Sequence, residues 1–175
     1  MTESLTAALV ARLHSDWDAF QQALKQASIS YSPHPDFKKV LMQVWAGSRF
    51  ISGLCIDHPE VFLDLLHAGR LHRDYRPGEY RMYLQHALSK DKDEDALMRT
   101  LRKFRQREMF RIAWRDLAGW APLDETLRDL SLLADACVDL ALAKLHQWAC
   151  KQWGVPHQSD GRPQQLVVLG MGKLG

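Results

Sequence analysis

The stretch that decides the fold is Ala96-Leu-Met-Arg-Thr-Leu-Arg-Lys-Phe-Arg-Gln-Arg-Glu-Met-Phe-Arg-Ile-Ala-Trp-Arg-Asp-Leu117, within a helix that we predict from about Glu94 to Trp120. Its apolar residues recur at steps of three and four, which is the period of an α-helix. One apolar face is formed by Leu97, Leu101, Phe104 and Ile112, and a second face, nearly opposite in the later half, by Phe110, Trp114 and Leu117. A helix that is apolar on two sides packs against neighbours on both, so the pattern predicts a central helix in a mainly α protein.

The same period predicts further helices on either side of this central helix. Before it, we expect helices over about Ser4 to Lys25, about Asp36 to Leu54, and from Asp57 to Gly69, followed by a short helix over Glu79 to Ser89. Asp57 is predicted to cap the third of these, with Pro59 in its first turn. After the central helix, Ala121-Pro122 interrupts the pattern and a last helix runs from about Leu123 to Trp153. The region is therefore predicted to be a bundle of five to six helices.

Seven basic residues lie along the central helix, and their role needs a separate explanation. They are Arg99, Arg102, Lys103, Arg105, Arg107, Arg111 and Arg115. By helical angle Arg105 and Glu108 fall on the first apolar face, so an ion pair between them is expected. Three roles are open for the other cations: structural contacts, contact with an anion or a partner, and contact with nucleic acid. The interleaving of arginine with apolar residues favours structural roles.

Composition limits the classes of protein to which the chain can belong. It has 175 residues, 46% of them hydrophobic and 25% charged, with a formal net charge of +2, which is typical of a globular protein with one sizeable core. The small net charge predicts no nucleic-acid partner, and the absence of a long apolar run predicts no membrane partner. The three cysteines are expected to be buried free thiols. His146 and Cys150 share a helix face, but two ligands do not make a zinc site.

The last eleven residues, Gln165-Leu-Val-Val-Leu-Gly-Met-Gly-Lys-Leu-Gly175, have a different pattern. Leu166–Leu169 have the length and β-branched content of a buried strand. Gly170, Gly172 and Gly175 fit G-x-G-x-x-G, whose bare amides can approach a phosphate, with Lys173 as a nearby positive charge. The motif is not a Walker A loop, and glycines that serve only to turn the chain remain an alternative. A strand followed by a glycine turn is how an α/β domain begins, so we expect residues 1–154 to be helical, 155–164 to be a linker, and 165–175 to start an incomplete second domain.

Three stretches of the chain together resemble the glutamine synthetase adenylyltransferase / adenylyl-removing enzyme family. Ser48-Arg-Phe-Ile-Ser-Gly-Leu-Cys-Ile-Asp-His-Pro-Glu60 is similar to the family's early Ser-x-Phe…Pro-Glu segment. The central stretch that ends at Leu117 resembles its basic helix with the Arg-Ile-Ala-Trp core, and Leu169-Gly-Met-Gly-Lys-Leu-Gly175 resembles the entry into a polymerase-β-type nucleotidyltransferase domain. The order and spacing of the three stretches make the resemblance specific.

The resemblance implies a large cytoplasmic enzyme with two nucleotidyltransferase domains. One domain removes AMP from a tyrosine of glutamine synthetase by phosphorolysis, and the other attaches AMP from ATP under the control of a PII-type signalling protein and glutamine. In such enzymes the turn that matches Gly170, Gly172, Lys173 and Gly175 lies beside the nucleotide phosphates, and a later Asp-x-Asp pair holds two divalent metal ions. Mg²⁺ and ATP or ADP are thus implied for the full-length enzyme, whereas none is expected to bind residues 1–175.

Two other functions remain open from the residues alone. Since no Asp-x-Asp pair follows Gly170 in these residues, we expect the 175-residue chain by itself to be catalytically inert. One alternative is a helical protein-interaction module. The other is the lead-in to a Rossmann-type oxidoreductase domain, which rests on the glycine spacing alone.

Overall fold

A computed structural model describes residues 2–170 of the chain, with side chains from Thr6 onward. Within these residues there are seven α-helices and one 3₁₀ turn, so the predicted mainly α class is confirmed, whereas the predicted number of five to six helices is too low. The helices are α1 (Thr2–Gln26), α2 (Pro35–Gly47), α3 (Arg49–Asp57), α4 (Pro59–His67), α5 (Glu79–Ala87), α6 (Glu94–Leu117) and α7 (Leu123–Trp153), with the 3₁₀ turn at Leu88–Lys90. None of the helices described is long and apolar enough to cross a membrane.

The described residues form two compact units. One comprises the residues up to Asp74 together with Met109–Thr126, and its core is aromatic. The Phe62 ring lies 5.2 Å from that of Trp114 and 5.9 Å from that of Phe20, and Phe20 lies 5.6 Å edge-on to Trp45. Edge-to-face and tilted pairs at such distances add to the free energy gained by burying the rings. Phe110 and Trp114, from the second predicted face of the central helix, are thus core residues here.

The other unit comprises Tyr75–Glu108 and the described residues from Leu127 onward. Its buried apolar residues come from the loop before α5, from α5, the 3₁₀ turn, α6 and α7: Tyr75, Tyr80, Leu84, Leu88, Leu97, Phe104, Leu133 and Ala136. Leu97 and Phe104 belong to the first predicted face of the central helix. Both predicted apolar faces of α6 therefore contribute buried side chains, although Ile112 of the first face belongs to the unit that contains Phe110 and Trp114.

The prediction of one continuous helix over Asp36 to Leu54 is wrong, because the chain breaks at Ser48. Ser48 has an extended backbone (φ −150°, ψ 114°), and its N–H donates to Val44 O at 3.0 Å, which ends α2. Its Oγ accepts a hydrogen bond from the N–H of Ile51 at 3.4 Å and so caps α3. The apolar period continues across the break because both short helices bury their apolar sides in the same core.

The start of α4 also differs from the prediction. Asp57 is the last residue of α3, and the N-cap of α4 is His58, whose side chain makes no capping hydrogen bond. Pro59 opens α4 as predicted, since a proline at the first helical position loses no hydrogen bond. Gly69 follows the end of α4 with a positive φ of 67°, a conformation that glycine adopts without a steric penalty.

After α7 the chain reverses on itself before the glycine-rich segment. His157 and Pro163 form an isolated antiparallel bridge, and the N–H of Gln158 donates to Arg162 O at 2.8 Å. Gly161 (φ 82°) allows the reversal. The expected linker is therefore a short looped-back segment. Leu166–Leu169 form no strand within residues 2–170, and each is more than half exposed, because no neighbouring strand supplies hydrogen-bond partners for their backbone.

Candidate functional site

The predicted phosphate-binding residues lie at the limit of the described chain. Gly170 is the last residue described, and Gly172, Lys173 and Gly175 lie outside the described residues. The segment that leads to Gly170 exposes a run of apolar side chains, with Leu166 67% and Leu169 82% exposed. Four consecutive apolar residues in water are unfavourable, so this segment is suited to burial against a further layer of protein.

A shallow groove of about 480 Å³ adjoins this segment. It is lined by His146, Pro156, Gln158, Pro163, Gln164, Gln165 and Leu166. Its polar groups are the imidazole of His146 and the side-chain amides of three glutamines, which can donate or accept hydrogen bonds but carry no fixed charge. The N–H of Gln164 is already used, since it donates to Pro156 O at 2.8 Å. The groove therefore has the chemistry of a polar contact surface beside the approach to Gly170.

His146 and Cys150 lie side by side at the end of α7, as their spacing predicts. The Sγ atom of Cys150 is 3.4 Å from Nε2 of His146. Among residues 2–170 no group of three or more His, Cys, Asp or Glu side chains is placed to hold a metal ion. The pair is thus a thiol–imidazole contact on one helix.

The cysteine side chains differ in burial, although all three are free thiols. Cys55 is buried as predicted, whereas Cys137 and Cys150 are only partly buried. Burial raises the pKa of the Cys55 thiol well above its usual range, because a thiolate would lose its hydration in the core. Burial also raises the pKa of Tyr31 to about 12, with a smaller contribution from Cys55. Neutral Cys55 is a core residue without the thiolate that nucleophilic chemistry requires.

Two arginines near the end of α6 donate hydrogen bonds to the loop that follows α4. Arg111 is fully buried, and its Nε donates to Arg70 O at 3.2 Å while a terminal nitrogen donates to Arg73 O at 2.9 Å. Arg115 donates to Leu71 O at 3.1 Å and to Glu125 Oε1 at 2.7 Å. Buried guanidinium groups need such partners, since an unpaired buried charge is strongly unfavourable. These side chains fix the loop that follows α4.

The predicted pair of Arg105 with Glu108 is wrong. Glu108 is fully buried, and its Oε1 accepts a 2.7 Å charge-assisted hydrogen bond from Arg107. Arg105 is exposed. Burial raises the pKa of the Cys137 thiol, and the positive charge of Arg105 lies near enough to oppose that rise. A long side chain at the edge of an apolar face reaches water, so Arg105 keeps its hydration. The structural role expected for the cations of α6 is therefore confirmed for Arg107, Arg111 and Arg115.

The remaining cations of α6 form an exposed patch that the sequence pattern alone did not separate from the buried arginines. We call it the basic face; it consists of Arg99, Arg102 and Lys103, with Arg105 at its edge. At about 100° per residue the first three lie opposite the buried side chains of Leu97 and Phe104. All four side chains are exposed, and none makes an ion pair within residues 2–170. In the sequence, the signal for this patch is that Arg102 and Lys103 follow Arg99 by three and four residues, which places the three on one side of a helix.

Comparison with known proteins identifies the family that the chain matches. The model of a family described as glutamate-ammonia ligase adenylyltransferase matches residues 38–175. Similar curated proteins are each named bifunctional glutamine synthetase adenylyltransferase/adenylyl-removing enzyme. The relative from Nitrosococcus oceani is 48% identical over 98% of this chain, the one from Thioalkalivibrio sulfidiphilus 46% over 90%, and the one from Pseudomonas aeruginosa 48% over 80%.

The matches cover most of this chain but only a small part of each relative. They take in nearly all of this chain but only 18%, 16% and 14% of the three relatives' lengths, so the chain spans a small part of the curated proteins it matches. The family model covers both the helices from α2 onward and the glycine-rich segment. On this evidence the chain belongs to the glutamate-ammonia ligase adenylyltransferase family.

Proposed function

We propose that this chain is the N-terminal helical part of a bifunctional enzyme that removes AMP from a tyrosine of glutamine synthetase and, through its other half, adds AMP to it. The observation that carries the proposal is the match of residues 38–175 to the family, a range that includes both helices and the glycine-rich segment. The relatives' names give both reactions. A cytoplasmic location and control by a PII-type protein belong to the same proposal.

The division of the chain that we propose follows from its local patterns. Residues 1–154 are the helical region, 155–164 the linker, and 165–175 the first strand and glycine turn of a polymerase-β-type nucleotidyltransferase domain. The exposed apolar side chains of Leu166–Leu169 support this assignment, because a strand in the centre of a sheet needs apolar side chains on both of its faces. The glycine spacing alone also fits a Rossmann domain, but the membership of the family favours the nucleotidyltransferase.

In this proposal the glycine turn positions phosphate groups. The amides of Gly170, Gly172 and Gly175 donate to phosphate oxygens, and Lys173 neutralises part of their charge. Mg²⁺, when bound, supplies charge stabilisation for in-line transfer between phosphate and the AMP group. Among residues 2–170 no group of three or more His, Cys, Asp or Glu side chains is placed to hold such an ion. The chain's own task is to orient ADP or ATP phosphates at the domain entry.

A fusion protein tests the proposed function. Residues 1–175 replace the matching segment of the Pseudomonas aeruginosa relative, and ADP release from adenylylated glutamine synthetase is measured with phosphate and Mg²⁺. We expect the fusion to be active and Gly172→Val to lower the rate by about tenfold or more, because a side chain would block the approach of phosphate. Lys173→Ala should lower it by a similar factor.

The controls separate the glycine turn from general effects of charge and folding. Lys151→Ala removes an exposed lysine near the end of α7 and should leave the rate within about twofold, as is usual for surface positions. The isolated 175-residue chain should release no ADP. An inactive but folded fusion, or activity in the isolated chain, contradicts the proposal.

A further inference from the structure

We propose that the basic face of α6 is a docking surface for an acidic segment of a partner protein. This interaction goes beyond the proposed transfer of AMP and concerns residues far in sequence from the glycine turn. Between Ala96 and Arg107 helix α6 contains no acidic residue, while Arg99, Arg102, Lys103 and Arg105 are all exposed. The chain as a whole has a net charge of only +2, whereas this stretch carries these cations with no acidic residue among them.

The contrast within one helix argues against a purely structural role for this face. Arg107, Arg111 and Arg115 are each bound by a carboxylate or by backbone carbonyls. Among the residues described, the four side chains of the basic face have no such carboxylate, although acidic residues pair with cations elsewhere in the same unit, as Asp139 does with Arg81 at 2.8 Å. Charge pairing in this unit is therefore selective, and it leaves one face unneutralised.

The spacing of these cations destabilises helix α6 as long as no anion is bound to it. Arg99 and Lys103 are four residues apart and Arg99 and Arg102 three apart, positions at which like charges repel one another on a helix surface. Their side chains also do little for the core, which lies on the opposite side at Leu97 and Phe104. An anionic partner relieves the repulsion and gains from all the charges together.

The chemistry of the face favours carboxylates of a protein over nucleic acid. Three of the four cations are arginines, whose planar groups match a carboxylate with two parallel hydrogen bonds. The face spans Arg99 to Arg105, about 9 Å of helix, which suits two or three carboxylates of a short acidic segment. Phe104 lies on the opposite side of α6, and Phe110 and Trp114 are buried, so α6 itself offers no exposed ring on which a base could stack.

Binding of defined probes to the whole chain tests this inference. The probes are a fluorescent decapeptide of glutamate and, separately, a ten-nucleotide thymidine strand, each at about 0.1 M salt, where exposed charges interact over about 10 Å. We expect the peptide to bind the wild-type chain. The combined variant Arg99→Gln, Arg102→Gln and Lys103→Gln should weaken its binding by about tenfold or more. Circular dichroism verifies that each variant is helical.

A second triple variant controls for net charge. Lys25→Gln, Arg49→Gln and Lys151→Gln remove the same charge from scattered exposed positions and should change peptide affinity by less than about threefold. Tighter binding of the thymidine strand than of the peptide overturns the choice of partner. Equal weakening by the two triple variants, or no binding of the peptide to the wild-type chain, overturns the docking surface itself.

Discussion

At the scale of single residues, side chains of the same type on one helix differ in how far they are buried. Arg105 and Arg111 lie on one helix and are both arginine, yet the first is exposed and the second is fully buried against backbone carbonyls. Helical angle placed Arg105 on an apolar face, but the length of its side chain allows the guanidinium to reach water. The local pattern predicts the direction of a Cβ atom, whereas the hydration of a long side chain depends on its neighbours in space.

Cys55 provides a pH-dependent test at this scale. Its folded pKa lies above the unfolded value of about 8.5, so the stability contributed by the neutral thiol is complete below about pH 8.5 and is lost as the pH rises through the folded pKa. Between pH 8.5 and 10 the free energy of unfolding of the wild type should therefore fall more steeply than that of Cys55→Ala, by up to about 1.4 kcal/mol per pH unit. Urea unfolding at a series of pH values measures both slopes, and parallel slopes contradict the prediction.

At the scale of elements, tertiary contacts decide where helices end. A Cβ atom on Gly47 would lie 3.0 Å from Cδ2 of Leu117, so the last residue of α2 is approached closely by the end of α6. The side chain of Gln43 donates to Leu117 O at 3.1 Å at the same place. These contacts and the capping by Ser48 explain why α2 and α3 are separate helices although their apolar period is continuous.

The loop after α4 depends on α6 in a way that a substitution can measure. Arg111→Met keeps an unbranched, flexible side chain in the core, although a shorter one, and leaves the carbonyls of Arg70 and Arg73 without these donors. We expect it to lower the free energy of unfolding by about 2–4 kcal/mol, since buried polar groups would be left unsatisfied. Urea denaturation measures the loss.

A matched control for this substitution lies on the same helix. Arg102→Met removes an exposed arginine that makes no ion pair within the described residues, so its effect should stay within about 0.5 kcal/mol. Equal effects of the two substitutions would contradict the role assigned to Arg111 in holding the loop.

At the scale of the whole molecule, the similarity to much longer relatives bears on the segment after α7. Leu166–Leu169 are exposed and form no strand within the described residues. If the proposed nucleotidyltransferase domain is correct, the same residues pair with other strands in the full-length enzyme, because a single strand gains little stability without neighbours. Their state is thus expected to depend on the length of chain that is present.

Hydrogen exchange measures this dependence. In the 175-residue chain the amides of Val167 and Val168 should exchange without protection, whereas those of Phe20 and Trp45 in the buried core should be strongly protected. In the fusion with the Pseudomonas aeruginosa relative, protection of Val167 and Val168 should rise by about two orders of magnitude or more, as expected for amides paired in a sheet. Strong protection in the short chain, or none in the fusion, contradicts the assignment of the strand.

The sequence by itself determined the mainly α class, most helix positions, the two apolar faces of α6 and the family resemblance. These features follow from local periodicity, from Pro59 and Gly69, and from the order of characteristic stretches along the chain. Only the tertiary structure decided the break at Ser48, the partner of Glu108 and which cations of α6 are buried. The physical reason is that helical periodicity is expressed within a few turns of the chain, whereas the burial of a side chain depends on groups distant in sequence, as for Arg111 against the carbonyls of Arg70 and Arg73. Even the local choices, the cap by Ser48 and the pairing of Glu108 with Arg107, lie between alternatives that the sequence pattern allows equally.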